Sequence, residues 1–275
     1  MSNSVKRKLK KAIEYGNRWI KHRFDVAILY ADWLFVTNKK MHKELSNHTL
    51  GKCRIVPINP RKWHNGTSVF CAIDIYDNRY FIKRSLNCNA ISAEAEFVLK
   101  LKDISDNIET KVCRLYFMSE DKTFLVEEYI NARPLSDKQF LASMSHKDKI
   151  VLLNTLYNTV CELHSRGIIH ADFTPKNILV SEEEGVIFLI DFEYSLLEKD
   201  VIHENYKKIS KDRLMNLGAD YSMKNGILDD GYSLMVISKY LIPDLLSSDY
   251  DLWKKINLSI GRLQFDLENG HFIEN

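Results

Sequence analysis

The chain has 275 residues, of which 45% are apolar, and it contains ten glycines and five prolines. This composition excludes a largely disordered chain, and the length suits two compact lobes. Five cysteines without a C-x-x-C pair favour reduced thiols and argue against a zinc site, and the formal net charge is only +2.

The first 23 residues carry eight Lys or Arg against one acid, a net charge of +7. Residues 5–24 are predicted to form a basic helix with apolar contacts at Leu9, Ile13, Trp19 and Ile20. Such a helix suits an anionic membrane surface, bound through residues 5–23, or packing onto the following domain as a solubilising helix. Nucleic acid could use the same charge, but no nucleic-acid partner is expected.

Residues 25–50 are interpreted as a helical lead-in, so that residues 1–53 form a basic helical extension. The longest apolar run, residues 26–36, is too short to span a bilayer and contains Asp32, and it is therefore predicted to be buried. No secretory signal follows the basic start, which predicts a cytoplasmic protein.

From residue 54 the pattern becomes that of strands. Strand-like residues 54–59 are followed by a predicted turn at 64–68, an alternating strand at 69–76, and a return strand that ends on Lys83. The turn contains one glycine, followed by two hydroxyl residues: Gly66, Thr67 and Ser68. Its backbone N–H groups could cradle a phosphate, or it could be a plain hairpin turn.

A helix predicted over residues 89–104 carries Glu94 on the same face as three apolar residues, Phe97, Val98 and Leu101. Glu96 points instead toward Lys100. Strands are then predicted at 112–118 and 123–130. A helix at 146–165 follows, with an apolar stripe that belongs to the core: Ile150, Leu153, Leu156, Tyr157, Val160 and Leu163.

The most informative stretch is LHSRGIIHADFTPKNILV followed by VIFLIDF, which places Asp172, Asn177 and Asp191 between short apolar strands. It resembles the kinase catalytic loop H-x-D-x-x-x-x-N and the later D-F motif. Residues 54–240 as a whole resemble the protein-kinase-like fold. The expected class is α+β, with a small antiparallel-sheet N-lobe at 54–130, a mostly helical C-lobe at 131–275, and the extension at 1–53.

The resemblance implies ATP and Mg²⁺ as cofactors. It implies that Asp172 deprotonates the acceptor hydroxyl and that Asn177 and Asp191 hold magnesium. Lys83, held by Glu94, would contact the phosphates, and Lys176 is either a γ-phosphate contact or a solvent-facing turn residue. The run LVEEYINARPL resembles the kinase hinge, where the backbone near Glu128 and Ile130 would pair with adenine.

Three departures separate this chain from regulated protein kinases. Ala171 stands where an arginine precedes the catalytic aspartate, Glu193 replaces the glycine after Asp-Phe, and no A-P-E sequence follows. The segment IDFEYS is similar to the second aspartate motif of choline, ethanolamine and aminoglycoside kinases. Ala171 argues against switching by an activation-loop phosphate, and the other two departures favour a small-molecule or glycan hydroxyl as acceptor.

A more specific resemblance lies further on. The segment from residue 206 to 241 is similar to the bacterial lipopolysaccharide core heptose kinases. The residues that carry this resemblance are Lys211-Asp212-Arg213, Tyr221, Lys224-Asn225, Asp229 and Gly231-Tyr232. It implies phosphorylation of a heptose of the lipopolysaccharide inner core, by a protein peripheral to the inner membrane. The basic residues Lys207, Lys208, Lys211 and Arg213 would bind the anionic acceptor or are a solvated charge run.

Two further interpretations concern structural residues. Asp230 is predicted to cap the helix that starts at Tyr232, and His170 is predicted to pack beside the Asp-Phe segment. Protein Ser/Thr kinase, another small-molecule kinase and a pseudokinase scaffold remain the alternatives to a glycan kinase.

Overall fold

A computed structural model describes residues 3–48, 51–63, 66–105, 110–181, 185–197, 214–215, 217–223, 226–262, 264–269 and 271–273. The helices, in chain order, are α1 (Asn3–Asp32), α2 (Asn38–Asn47), α3 (Cys88–Ser105), α4 (Lys138–Ser143), α5 (His146–Ser165), α6 (Asp230–Leu241), α7 (Leu245–Ser248) and α8 (Tyr250–Ser259). The strands are β1 (Arg54–Pro57), β2 (Thr67–Ile73), β3 (Arg79–Ser85), β4 (Thr110–Val112), β5 (Leu115–Met118), β6 (Phe124–Glu128), β7 (Arg133–Pro134), β8 (Ile168–Ile169), β9 (Ile178–Val180), β10 (Ile187–Leu189), β11 (Leu196–Leu197), β12 (Ile227–Leu228), β13 (Gln264–Asp266) and β14 (His271–Ile273).

The chain forms two compact units. Unit 1 comprises Met1–Ile91 and Leu115–Tyr129, and unit 2 comprises Ser92–Arg114 and Ile130–Asn275. The predicted boundaries after residues 53 and 130 stay predictions. Among the described residues, no helix combines the length and hydrophobicity needed to cross a bilayer.

Unit 1 contains a five-stranded antiparallel sheet in the order β1-β2-β3-β6-β5. Its apolar face packs around Phe70, Ile82 and Phe124, all of which are fully buried. The N-terminal helices supply part of the same core through a set of buried residues: Leu29, Trp33, Met41 and Leu45. The predicted extension is therefore helical from Asn3 to Asn47, and its buried residues pack on the sheet.

Residues 26–36 were expected to be buried, and this prediction is wrong for most of them. Leu29 and Trp33 are buried, but exposed apolar side chains lie around them at Ile28, Tyr30, Leu34, Phe35 and Val36. A helix resting on a sheet buries one face only, so an uninterrupted apolar run leaves its other face in contact with solvent.

Unit 2 contains α4 to α8, with α5 packed against α6 and α8. Helix α5 has the predicted bounds, since a capping box between Ser145 and Asp148 fixes its start. The strand predicted over residues 112–118 is wrong. It is two strands, of which β4 pairs parallel with β10 in unit 2 and β5 pairs with β6 in unit 1. Together the antiparallel sheet and the helical unit give the predicted α+β class.

Candidate active site

The catalytic loop of unit 2 runs from the end of β8 to the start of β9. In it, both carboxylate oxygens of Asp172 accept hydrogen bonds: Oδ2 from the Asn177 side-chain amide at 2.8 Å and Oδ1 from the Gly218 backbone N–H at 3.0 Å. The same amide of Asn177 also donates to the backbone carbonyl of Asp172 at 2.9 Å. Two of the predicted site residues therefore lie in direct contact, and the carboxylate is held in one orientation.

The environment of Asp172 alters its acidity. Burial raises the pKa of the Asp172 carboxyl above its ordinary value, and the nearby negative charge of Asp191 raises it further. The hydrogen bonds from Asn177 and Gly218 oppose these effects without cancelling them. A carboxylate with a raised pKa is a stronger base than an exposed one, which suits the removal of a proton from a hydroxyl.

His170 is fully buried and packs beside the Asp-Phe segment, as the sequence predicted. Its ring lies 4.8 Å from the ring of Phe192, and Nε2 is 3.0 Å from the backbone carbonyl of Ile190. The backbone N–H of Asp172 donates to Nδ1 at 3.3 Å, which assigns the ring proton to Nε2. The imidazole thus ties the catalytic loop to the segment that carries Asp191.

Asp230 holds the loop from the other side. Its carboxylate accepts from the backbone N–H groups of His170 at 2.6 Å and Ala171 at 3.1 Å. The prediction that Asp230 caps helix α6 is wrong, because the capping carboxylate is that of Asp229, which accepts from Gly231 N–H at 2.8 Å. Asp230 is therefore a positioning residue, a role that the sequence did not predict. Two adjacent aspartates at the start of a helix do not reveal which of them caps the helix and which binds another segment.

Asp191 follows β10 and has a left-handed backbone conformation, with φ of +66°. One carboxylate oxygen each from Glu94, Asp191 and Glu193 can be chosen so that all three lie within 4.8 Å of one another. Glu94 and Glu193 are buried. Magnesium prefers oxygen ligands from carboxylates, so this donor set fits the metal. Glu193 was not among the predicted metal ligands, although its departure from the family glycine was a signal.

Glu94 lies where the sequence placed it, on the buried face of α3 with Phe97, Val98 and Leu101. Glu96 pairs with Lys100 at 2.6 Å, as predicted. In unit 1, Lys83 lies in the middle of β3, opposite Val69 and Leu125, and is buried. The ion pair between Lys83 and Glu94 stays a prediction.

The predicted phosphate turn is wrong in its second half. Thr67 and Ser68 belong to β2, where they pair with Ser85 and Arg84. Gly66 is in a turn conformation with φ of +77°, and its carbonyl accepts from the N–H of Leu86 at 3.0 Å. Residues 64 and 65 lie outside the described residues. Because Thr67 and Ser68 pair with β3, the turn is shorter than the composition suggested.

The remaining predicted residues lie at the edges of elements. Glu128 is the last residue of β6 and is exposed, and Ile130 follows the strand and is half-buried. Lys176 is exposed beside Asn177. Two groups from the heptose-kinase resemblance, residues 207–213 and 224–225, lie outside the described residues.

Comparisons with known proteins agree with this geometry. The family described as "Protein kinase domain" matches residues 63–208, which is more than half of the chain. CBL-interacting protein kinase 21 from Oryza sativa subsp. japonica is 30% identical over 199 residues, covering 68% of this chain and 35% of that protein. Serine/threonine-protein kinase cds1 from Schizosaccharomyces pombe is 27% identical over 205 residues, covering 70% and 42%.

Serine/threonine-protein kinase D from Synechocystis is 35% identical over a shorter stretch of 77 residues, 28% of this chain and 15% of that protein. The chain thus spans less than half the length of these relatives. Among solved structures, the Cydia pomonella granulovirus kinase PK-1 has a TM-score of 0.49 at 14% identity and covers 74% of this chain and 73% of its own.

Proposed function

Since the chain belongs to the protein kinase domain family, we propose that its activity is ATP-dependent phosphotransfer and that the acceptor is a serine or threonine hydroxyl on a protein. The observation that carries the proposed chemistry is the contact of Asp172 with Asn177 beside Asp191. One carboxylate is oriented and made more basic, while an amide and a second carboxylate remain nearby as oxygen donors.

Asp172 accepts the proton of the acceptor hydroxyl as that oxygen forms a bond to the γ-phosphorus of ATP. The bond from the γ-phosphorus to the bridging oxygen breaks, and ADP leaves with the electron pair. The hydrogen bonds from Asn177 and Gly218 hold the carboxylate still. Most of the rate enhancement comes from this positioning, because the protein forms no covalent bond of its own.

Asn177, Asp191 and Glu193 would hold magnesium, which neutralises charge on the phosphates when bound. Glu193 is included because one of its carboxylate oxygens can lie within 4.8 Å of one from Asp191. Lys83 would contact the phosphates, because it occupies the position of the kinase strand lysine in β3. Lys176 is exposed beside Asn177 and would contact the γ-phosphate.

A protein acceptor is supported by the relatives, since cds1 and kinase D are described as serine/threonine-protein kinases. The family match over residues 63–208 includes the catalytic loop, but no A-P-E sequence follows that loop. The acceptor class therefore rests on family membership.

A sugar hydroxyl, in the form of an inner-core heptose of lipopolysaccharide, is the second candidate. It is favoured by Glu193, by the missing A-P-E sequence and by the motif around Tyr221 to Tyr232. Part of that motif has a structural explanation, however. Asp229 caps α6, and Gly231 lies in close contact with the backbone of Ser259. These two residues would be needed for folding whatever the acceptor.

The deciding experiment offers Mg-ATP and both acceptors, a mixed dephosphorylated protein substrate and unphosphorylated lipopolysaccharide core, to the purified protein. Asp172→Asn removes the base, and Asp251→Asn, an exposed carboxylate outside the site, is the matched control. Mass spectrometry is expected to find phosphate on serine or threonine with the wild type and the control, and none with Asp172→Asn. Phosphate only on heptose would establish the second candidate, and transfer to neither acceptor would refute both.

A further inference from the structure

Helix α1 presents a row of large apolar side chains to solvent. Ile20, Phe24 and Ile28 are exposed to 61%, 66% and 49%. They are four residues apart, so they lie on one face of the helix, and Trp19 borders it at 52%. Phe35, two helical turns beyond Ile28, is 76% exposed. We call Trp19, Ile20, Phe24 and Ile28 the apolar face.

Single exposed apolar residues are normal, but a contiguous apolar face usually marks an interaction site. Here the exposure is not caused by a loose helix. Leu29, on the opposite side of α1, and Trp33, just after the end of α1, are buried in the core of unit 1. At the end of the helix, Asp32 forms an ion pair with the buried Arg84 at 2.7 Å and accepts a hydrogen bond from Thr37 at 2.6 Å. The apolar face is therefore held on a fixed support.

Among residues 16–48, the charged side chains described as exposed are all basic. Lys21, Arg23, Lys39 and Lys43 are exposed, and the Arg23 guanidinium lies 5.1 Å from the centre of the Trp19 ring. Of the three acids between residues 16 and 48, none is exposed. Asp32 is paired with Arg84, Glu44 is buried and accepts from the Glu120 N–H, and Asp25 is half-buried.

We propose that the apolar face docks α1 onto the surface of an anionic lipid bilayer. A helix lying at such a surface needs apolar side chains to enter the headgroup boundary and basic side chains to meet the lipid charge, and α1 has both on described residues. The net charge of +7 over the first 23 residues adds attraction to the same surface. A second copy of the chain would place like charges against each other, which disfavours a dimer through this face.

The test is vesicle flotation of the full chain with phosphatidylcholine vesicles, with and without phosphatidylglycerol. Wild type is expected to float with the anionic vesicles and to remain at the bottom with the neutral ones. The triple variant Ile20→Ser, Phe24→Ser, Ile28→Ser is expected to lower the bound fraction roughly tenfold. Lys21→Glu with Arg23→Glu should also lower the bound fraction, because it reduces the net charge of the first 23 residues from +7 to +3.

The matched control is Leu246→Ser with Leu258→Ser, since both leucines are exposed, to 53% and 64%, and lie in unit 2. This variant is expected to float like wild type. All variants should keep the wild-type melting temperature and their phosphotransfer to a peptide, because the substituted side chains are exposed and outside the site. This control separates docking from the proposed function.

Three outcomes would overturn the proposal. Wild type that stays at the bottom with anionic vesicles would refute docking. A triple variant that floats as wild type does would show that the apolar face is not involved. A concentration-dependent dimer, measured by light scattering and lost in the triple variant, would assign the face to a second copy of the chain.

Discussion

At Asp172 two influences on acidity act in opposite directions. Burial and the charge of Asp191 raise the pKa, and the hydrogen bonds from Asn177 and Gly218 lower it, with a net rise. Only the ionised carboxylate can accept a proton from the acceptor. A raised pKa keeps Asp172 protonated to a higher pH, so activity should be lost earlier on acidification than for an exposed aspartate.

We therefore expect the acidic limb of kcat/KM for nucleotide, which reports the protein before it binds Mg-ATP, to lie above pH 3.8, the ordinary aspartate value. Circular dichroism over the same pH range serves as the control for unfolding. A limb at or below 3.8 in a folded protein would show that the environment of Asp172 does not raise its pKa.

Asp230 offers a second test at the residue scale, because each of its oxygens accepts one backbone N–H of the catalytic loop. In the Asp230→Asn variant the side chain keeps its size but has one acceptor oxygen. One of the two backbone N–H groups would then face the NH2 group of the asparagine. We expect about 1–3 kcal/mol lower stability and a fall in kcat of about 100-fold from displacement of Asp172. Thermal unfolding and steady-state kinetics measure both, with Asp251→Asn as control, and unchanged kcat would contradict the positioning role.

The sequence predicted Asp172, Asn177 and Asp191 from their local spacing. In the structure Asn177 contacts Asp172, and the charge of Asp191 affects the pKa of Asp172. It assigned the wrong role to Asp230, since the bond from Asp230 to His170 joins residues 60 apart in the chain. Periodicity and capping rules report neighbours along the chain and carry no information about such a contact. Local patterns likewise could not predict the carboxylate cluster, because Glu94 is far along the chain from Asp191 and Glu193.

At the scale of elements, the contact between α6 and α8 depends on one glycine. A Cβ built at Gly231 would lie under 3.0 Å from the backbone carbonyl of Ser259, which cannot move without shifting α8. We expect Gly231→Ala to lower the free energy of unfolding by about 1–3 kcal/mol, measured by urea denaturation.

Gly16→Ala is the matched control, since Gly16 also lies in a helix and a Cβ there meets nothing within 4 Å. Alanine is favoured over glycine in a helix, so this variant should be neutral or more stable by about 0.5–1 kcal/mol. Equal effects at the two glycines would mean that close packing at Gly231 is not what constrains it.

Helix α5 was predictable from its apolar stripe and the capping box at Ser145, both of which are local. The strand expected over residues 112–118 was not, because β4 and β5 pair in different sheets. An apolar run shows that a segment is buried, but it does not show that the chain changes its pairing partner within that segment.

At the scale of the whole molecule, the N-terminal helices contribute to the core of unit 1. Leu29→Ala removes a buried side chain, and we expect it to cost about 2–5 kcal/mol in unfolding free energy. Ile28→Ala, the adjacent and half-exposed residue, should change stability by less than about 0.5 kcal/mol. Chemical denaturation of both variants would reveal whether the extension is integral to the fold, and equal small effects would indicate that it is dispensable.

The pairing of β4 with β10 has a consequence for how such an enzyme is controlled. Strand β4 follows α3, the helix that carries Glu94, while β10 leads directly to Asp191. Glu94 and Asp191 thus belong to one compact unit, whereas many kinases are switched off by moving the corresponding helix away. Control by such a movement would therefore require unit 2 itself to open.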